Sequence, residues 1–164
     1  MTRASDFYAG LACDHAGRSL AFILAQSDAW LESQHDYIQW LFPLPEPSPV
    51  NPQAPLLDPQ EAARFCADHQ LQARLLTALD RMLHCYGLQR QHDGLVADPL
   101  HLGLIQPWCH WQDHNQLRLT RMLRCLQACG LVQPAHQLQD FLLREGTGRV
   151  NPTTLTYWRQ ALTA

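Results

Sequence analysis

The chain has 164 residues, 46% of them apolar and 16% charged, with a formal net charge of −3. That is enough apolar material for one domain burying roughly two-thirds of its unfolded surface, and too little charge for a disordered chain. A charge this mild argues against a nucleic-acid footprint and against adhesion to anionic membranes.

All twelve basic side chains are arginine. Without lysine, no Schiff-base or lysine-base chemistry is open to the chain, and the bias resembles that of a GC-rich bacterial genome. Residues Met1 to Tyr8 lack the apolar run of a signal peptide. The longest apolar stretch, near Leu20 to Ala25, falls far short of the roughly 20 residues of a membrane span. Cys13, Cys66, Cys85, Cys109, Cys125 and Cys129 show no CxxC spacing, so reduced thiols in a cytoplasmic protein are expected.

In chain order, Ser19 to Gln26 reads as a short apolar helix. A second starts at Ser27 or Asp28 and carries Trp30, Leu31, Tyr37, Ile38 and Leu41 on one face, with Glu32, Asp36 and Gln39 opposite. Pro43 ends it. Residues 43–55 hold six prolines, which predicts an extended, stiff strap across the surface. Asp58-Pro59-Gln60-Glu61 combines a cap, a first-turn proline and a capping-box carboxylate, opening a helix to about Ala67. Leu71, Leu75, Leu76, Leu79, Met82, Leu83 and Tyr86 stripe the next helix, with Gly87 as its C-terminal cap. Leu88 to Gln112 shows no clear period and reads as a long loop or a missed short element. Asp113 or Asn115 caps a helix ending at Gly130, Pro134 opens one stopping at Gly146, and Asn151-Pro152 starts the last. The expected fold is all-α: a single domain over residues 1–164, with six or seven helices and the proline strap.

Signatures of catalysis are absent: there is no GxSxG elbow, phosphate loop or HExxH. Cys109-His110-Trp111-Gln112-Asp113-His114, near His84, Cys85 and His101, gathers potential metal ligands. No second ligand pair has a standard spacing, so surface or capping histidines are favoured and no metal or cofactor is expected.

The helix from Asp113 to Cys129 carries most of the functional signal. At about 100° per residue, His114, Arg118, Arg121 and Cys125 align in a stripe. It is separate from the leucine face and from the polar face of Gln116, Thr120, Arg124 and Gln127. Arginines turned toward a neighbour need acceptors, and Glu32 and Asp36 are candidates. A structural ion network is favoured over a pocket. The functional alternative is an arginine-floored site rimmed by Trp40, Trp108 and Trp111 that takes an anion.

The same residues carry a resemblance. His35-Asp36-Tyr37-Ile38-Gln39-Trp40-Leu41-Phe42-Pro43-Leu44 with Glu46-Pro47 resembles the signature of the opioid growth factor receptor family. So does Trp111-x-x-His114-Asn115-x-Leu117-Arg118-x-Thr120-Arg121-x-Leu123 with Leu126 and Gly130-Leu131. Ala54-Pro55-Leu56, Met82-Leu83-x-x-Tyr86-Gly87, Phe7-Tyr8 and Asp14-x-x-Gly17 extend the likeness from about Phe7 to Leu162. The resemblance implies a receptor for the opioid peptide Met-enkephalin, with animal members nuclear or perinuclear and sometimes described as membrane-associated. The animal members' C-terminal extension, repeats and basic import signals are not seen here, and with the missing lysines this points to a short bacterial homologue.

The leading expectation is therefore a helical binding domain rather than an enzyme, its natural ligand a small anionic molecule or peptide other than enkephalin. Helix Asp28 to Phe42 is expected to pack on helix Asp113 to Cys129, and His35, Asp36, Gln39, Trp40, Trp111, His114, Asn115, Arg118 and Arg121 to form the site. The alternatives are a structural domain that docks a protein partner, and a metal-dependent or hydrolytic enzyme using His110, His114 and a cysteine.

Overall fold

The computed structural model describes residues 2–103 and 106–163. The backbone divides into two compact units, Met1–Arg81 and Met82–Ala164, with the boundary inside one long helix. Among the described residues there are nine helices and one two-stranded sheet, so the chain is predominantly α-helical. No helix among them is long and apolar enough to cross a membrane.

The first unit opens with a helix the sequence pattern did not reveal, α1 (Ala4–Ala9). Its N-cap, Arg3, makes no side-chain cap bond. A distant carboxylate substitutes: Glu61 accepts the Ser5 amide at 2.8 Å. The expected capping box at Asp58 is thus half used. Asp58 caps α5 (Pro59–Ala67) by accepting the Gln60 and Glu61 amides, while the Glu61 carboxylate is spent on α1. Next come α2 (Leu20–Leu24) and α3 (Asp28–Ser33), capped by Ser19 and Ser27.

The helix expected from Asp28 to Phe42 is interrupted. After α3 the chain is extended at Gln34, and helix resumes only as α4 (Ile38–Leu41). Tertiary partners take the carbonyls that a continuous helix would have used: Tyr37 donates its hydroxyl to the Leu31 carbonyl at 2.7 Å, and Asn51 Nδ2 donates to the Asp36 carbonyl at 2.6 Å. The inward positions survive the break, for Leu31, Tyr37, Ile38 and Leu41 are all buried. Phe7, Tyr8, Trp40 and Phe65 meet edge-on at centroid distances of 5.4–5.8 Å, and the Tyr8 hydroxyl donates to the Leu41 carbonyl.

The proline segment also departs from expectation. It doubles back rather than running straight: Ser48 bridges Asn51, and the Leu57 amide donates to the Leu44 carbonyl at 3.0 Å.

Helix α6 (His69–Cys85) has its predicted stripe, with Leu71, Leu75, Leu79, Met82 and Leu83 buried. The second unit then contains what the loop reading missed, an antiparallel hairpin of β1 (Leu88–Gln91) and β2 (Gly94–Ala97) turning at His92-Asp93. Leu104 and Ile105, within the predicted loop, lie outside the described residues. Helices α7 (His114–Ala128) and α9 (Pro152–Gln160) follow as the pattern predicted, and α8 (Val132–Gly146) opens two residues before the expected Pro134. Gly146, expected as a stop, is the last residue of α8. A Cβ there would stand 2.9 Å from Trp158 Cζ3, so glycine is required by the approach of α9. Trp108 packs between Phe141 and Trp158, at centroid distances of 5.8 and 6.4 Å.

Candidate functional site

Four of the nine predicted site residues fall in the first unit and five in the second. In the first unit, Asp36 and Trp40 join a chain of polar contacts. Trp40 Nε1 donates to His15 Nδ1 at 3.2 Å, and His15 Nε2 faces Asp36 Oδ2 at 3.3 Å. Asp36 Oδ1 lies 3.0 Å from Arg18 Nη2 as an ion pair, and Arg18 Nε bonds Asp14 Oδ2 at 2.6 Å. The Asp14 side chain is fully buried, and its other oxygen accepts the Ala16 and Arg18 amides. An indole N–H can only donate, so Nδ1 of His15 is bare and the proton sits on Nε2, facing Asp36. With both ring nitrogens engaged, this histidine–aspartate pair lacks the free base nitrogen that nucleophilic catalysis needs. Gln39 is buried and His35 is exposed. Asp14, His15 and Arg18 were not singled out for chemistry, because nothing local in the sequence links residues 14–18 to Asp36.

In the second unit, Asp113 caps α7 by accepting the Asn115 amide at 2.7 Å. Asn115 is fully buried, and its Oδ1 accepts the Tyr86 hydroxyl at 3.0 Å and Arg118 Nη1 at 3.3 Å. Arg118 is only 5% exposed. Burial, reinforced by contact with Cys129, pushes the Cys125 thiol well up against the opposing pull of Arg121. Burial also raises the Cys109 thiol, despite Arg149. Neither is a thiolate nucleophile near neutral pH.

Trp111 and His114 lie toward solvent. Beside them the N-terminal turns of α7 and α9 enclose a cleft of about 540 Å³, lined by Gln112, Asp113, His114, Gln116, Leu117, Thr120, Asn151, Thr153, Thr154 and Tyr157. Of the predicted residues, His114 lines it; no arginine does. Leu117 and Tyr157 are more than half and half exposed respectively, and exposed Trp111 is fixed at the edge by its carbonyl, which accepts the Asn151 amide at 2.9 Å.

The residue that organises this region is one the sequence pattern places on the polar face of the helix, not among the expected site residues. Gln116 is buried, and its Nε2 donates to the Trp108 and His110 carbonyls at 3.1 and 2.7 Å. Its Oε1 accepts the Thr154 hydroxyl at 3.0 Å, and its backbone carbonyl accepts Trp158 Nε1 at 3.4 Å. It thereby binds the 108–110 segment and α9 to α7. The tryptophans at 108 and 158 were the available signal, since a buried indole N–H or adjacent carbonyl needs a polar partner.

The sequence profile of the opioid growth factor receptor conserved region matches residues 24–162. The chain belongs to the opioid growth factor receptor family. It is 37% identical over 121 residues to the human opioid growth factor receptor, a match covering 70% of this chain and 17% of that protein. The mouse receptor is 38% identical over 118 residues, covering 70% and 18%. The rat opioid growth factor receptor-like protein 1 is 34% identical over 116 residues, covering 70% and 25%. This family member thus spans a quarter or less of the length of these relatives. No solved structure matches it. The matched stretch includes every residue lining the cleft, whereas Asp14, His15 and Arg18 precede it.

Proposed function

We propose that the chain is a peptide-binding domain whose ligand lies in the cleft between α7 and α9. The observation that supports this reading is the placing of Leu117 and Tyr157, exposed and largely apolar, beside the exposed Gln112 amide and Thr153 hydroxyl and beside the Thr120 and Thr154 hydroxyls, which donate inward to Gln116 and keep lone pairs to accept. A peptide needs both: amides and hydroxyls that donate and accept along its backbone, and apolar surface for its side chains. A receptor for a growth factor, as the relatives' names have it, is consistent with a peptide ligand.

In this reading Trp111, His114, Leu117 and Tyr157 touch the ligand. Asn115 and Arg118 hold the helix beneath, Arg121 lies near Cys125, and Asp36, Gln39 and Trp40 serve the polar chain and packing of the first unit, where His35 is exposed. A small anion is less well served, because the one full charge lining the cleft is the Asp113 carboxylate.

The test is an amide chemical-shift titration of the whole chain with Met-enkephalin and with peptides selected from a random display library. Selected peptides are expected to shift the cleft residues, and Leu117→Ala and Tyr157→Ala to abolish capture in a chain that stays folded. Shifts confined to other surfaces would refute the assignment.

A further inference from the structure

The contact between the end of α6 and the segment after β2 places two histidines in an arrangement that neither the family nor the cleft explains. Gly87, at φ +73°, ends α6, and its carbonyl accepts the Asp98 amide at 2.8 Å. The chain returns at Gly103, at φ +57°. A Cβ on Gly103 would lie 2.3 Å from the Gly87 nitrogen and 2.5 Å from the Cys85 carbonyl oxygen, and a Cβ on Gly87 would lie 2.5 Å from the Leu102 oxygen. Only two glycines allow the backbones to touch in this way. The touch lays His101 on His84, with ring centroids 3.7 Å apart and planes 10° from parallel.

We infer that His84 and His101 form a two-imidazole clamp for a borderline transition-metal ion such as Zn²⁺, Ni²⁺ or Cu²⁺. A ring nitrogen of each lies within 4.8 Å of one on the other. In the stack the two rings' in-plane lone pairs run parallel, so a shared ion about 2.0–2.1 Å from both nitrogens requires one ring to swing out of the stack, a rotation open to the half-exposed His84. Asp98 supplies the supporting carboxylate: its Oδ2 faces His84 Nδ1 at 3.9 Å, and its Oδ1 is anchored by the Leu100 amide at 2.9 Å. A carboxylate behind one nitrogen orients the ring so that the other can ligate. Imidazole donors select these ions over Mg²⁺ or Ca²⁺, which take oxygen ligands. Water completes the coordination, and the bound ion fastens the 98–103 segment to α6.

The experiment is thermal melting and isothermal titration of the metal-free full chain with ZnCl₂, NiCl₂ and MgCl₂. Zn²⁺ and Ni²⁺ are expected to raise Tm and Mg²⁺ to leave it unchanged, because an ion that binds only the folded chain stabilises it. His84→Ala and His101→Ala should each remove the shift, and His136→Ala, on the exposed face of α8, should keep it. Asp98→Asn is expected to weaken titrated affinity about tenfold without abolishing it. Absence of any shift in the parent chain, or a shift that persists in His84→Ala, overturns the clamp. If His101→Ala does not fold, the exposed His84→Ala decides alone.

Discussion

Trp40 and His15 are joined by a hydrogen bond that fixes which ring nitrogen of the histidine carries the proton. The indole donates at 3.2 Å to Nδ1, so Nε2–H faces Asp36. Nitrogen-detected NMR at neutral pH is expected to show His15 as the Nε2–H tautomer, and Trp40→Phe, which keeps the ring but not the donor, to release that preference. Its stability cost is expected at about 1 kcal/mol, that of one lost hydrogen bond with a partner open to water.

Asp14 carries a heavier burden. Its side chain has no solvent exposure and holds Arg18 at 2.6 Å as well as two backbone amides. Asp14→Ala leaves the Arg18 guanidinium with Asp36 as its remaining carboxylate and deprives both amides of their acceptor, and a loss of about 2–3 kcal/mol is expected in urea unfolding. Arg18→Ala should cost less, because it leaves the carboxylate its two amide donors.

Gln116 differs from Gln112 although both line the cleft. Gln116→Leu keeps the volume and removes bonds to two carbonyls and a hydroxyl, so a loss of about 2–3 kcal/mol and faster amide exchange across 108–112 are expected. Gln112→Leu should leave stability unchanged and alter only ligand capture.

At Gly146 even a methyl group is too large. Gly146→Ala sets a Cβ 2.9 Å from the Trp158 ring and 3.3 Å from Val150 Cγ2, and overpacking by about 1–3 kcal/mol is expected, read as a lowered Tm with a shifted Trp158 fluorescence.

The thiols divide by burial. Cys13 and Cys66 are exposed, whereas Cys85, Cys125 and Cys129 are buried. A thiol reagent at mildly alkaline pH is expected to label the first two at once and the buried three only on unfolding. Because burial raises the Cys125 thiol, the unfolded chain gives up that proton first. Its contribution to stability is therefore intact below the ordinary thiol range of about 8.5 and declines as pH climbs beyond it, which pH-dependent melting would register.

Helices with an apolar stripe and a recognisable cap were legible in the sequence. The Asp58-Pro59 start, the leucine run of α6 and the caps at Asp113 and Asn151 all depend on residues close in the chain. What escaped were features decided at a distance. Helix α1 is capped by Glu61, 56 positions away from Ser5, and the helix expected through residues 34–37 is broken by Tyr37 and Asn51 acting on its carbonyls. The hairpin had a local sign, Asp93-Gly94, but its four-residue strands are too short to display alternation. The site divides likewise. Trp111 and His114 were visible in a motif, whereas Thr153, Thr154 and Tyr157 come from a helix some forty residues on, and only folding brings them together.

The proline loop is tied at its neck by the Leu44–Leu57 bond, while its tip at Pro49-Val50 stands in solvent with Val50 77% exposed. Extra sequence spliced there would lengthen an arc whose ends are already clasped, and closure entropy grows only logarithmically with length. That makes the tip a port for a fluorophore tag or a tethered partner, through which the remainder of the molecule could be watched while left undisturbed.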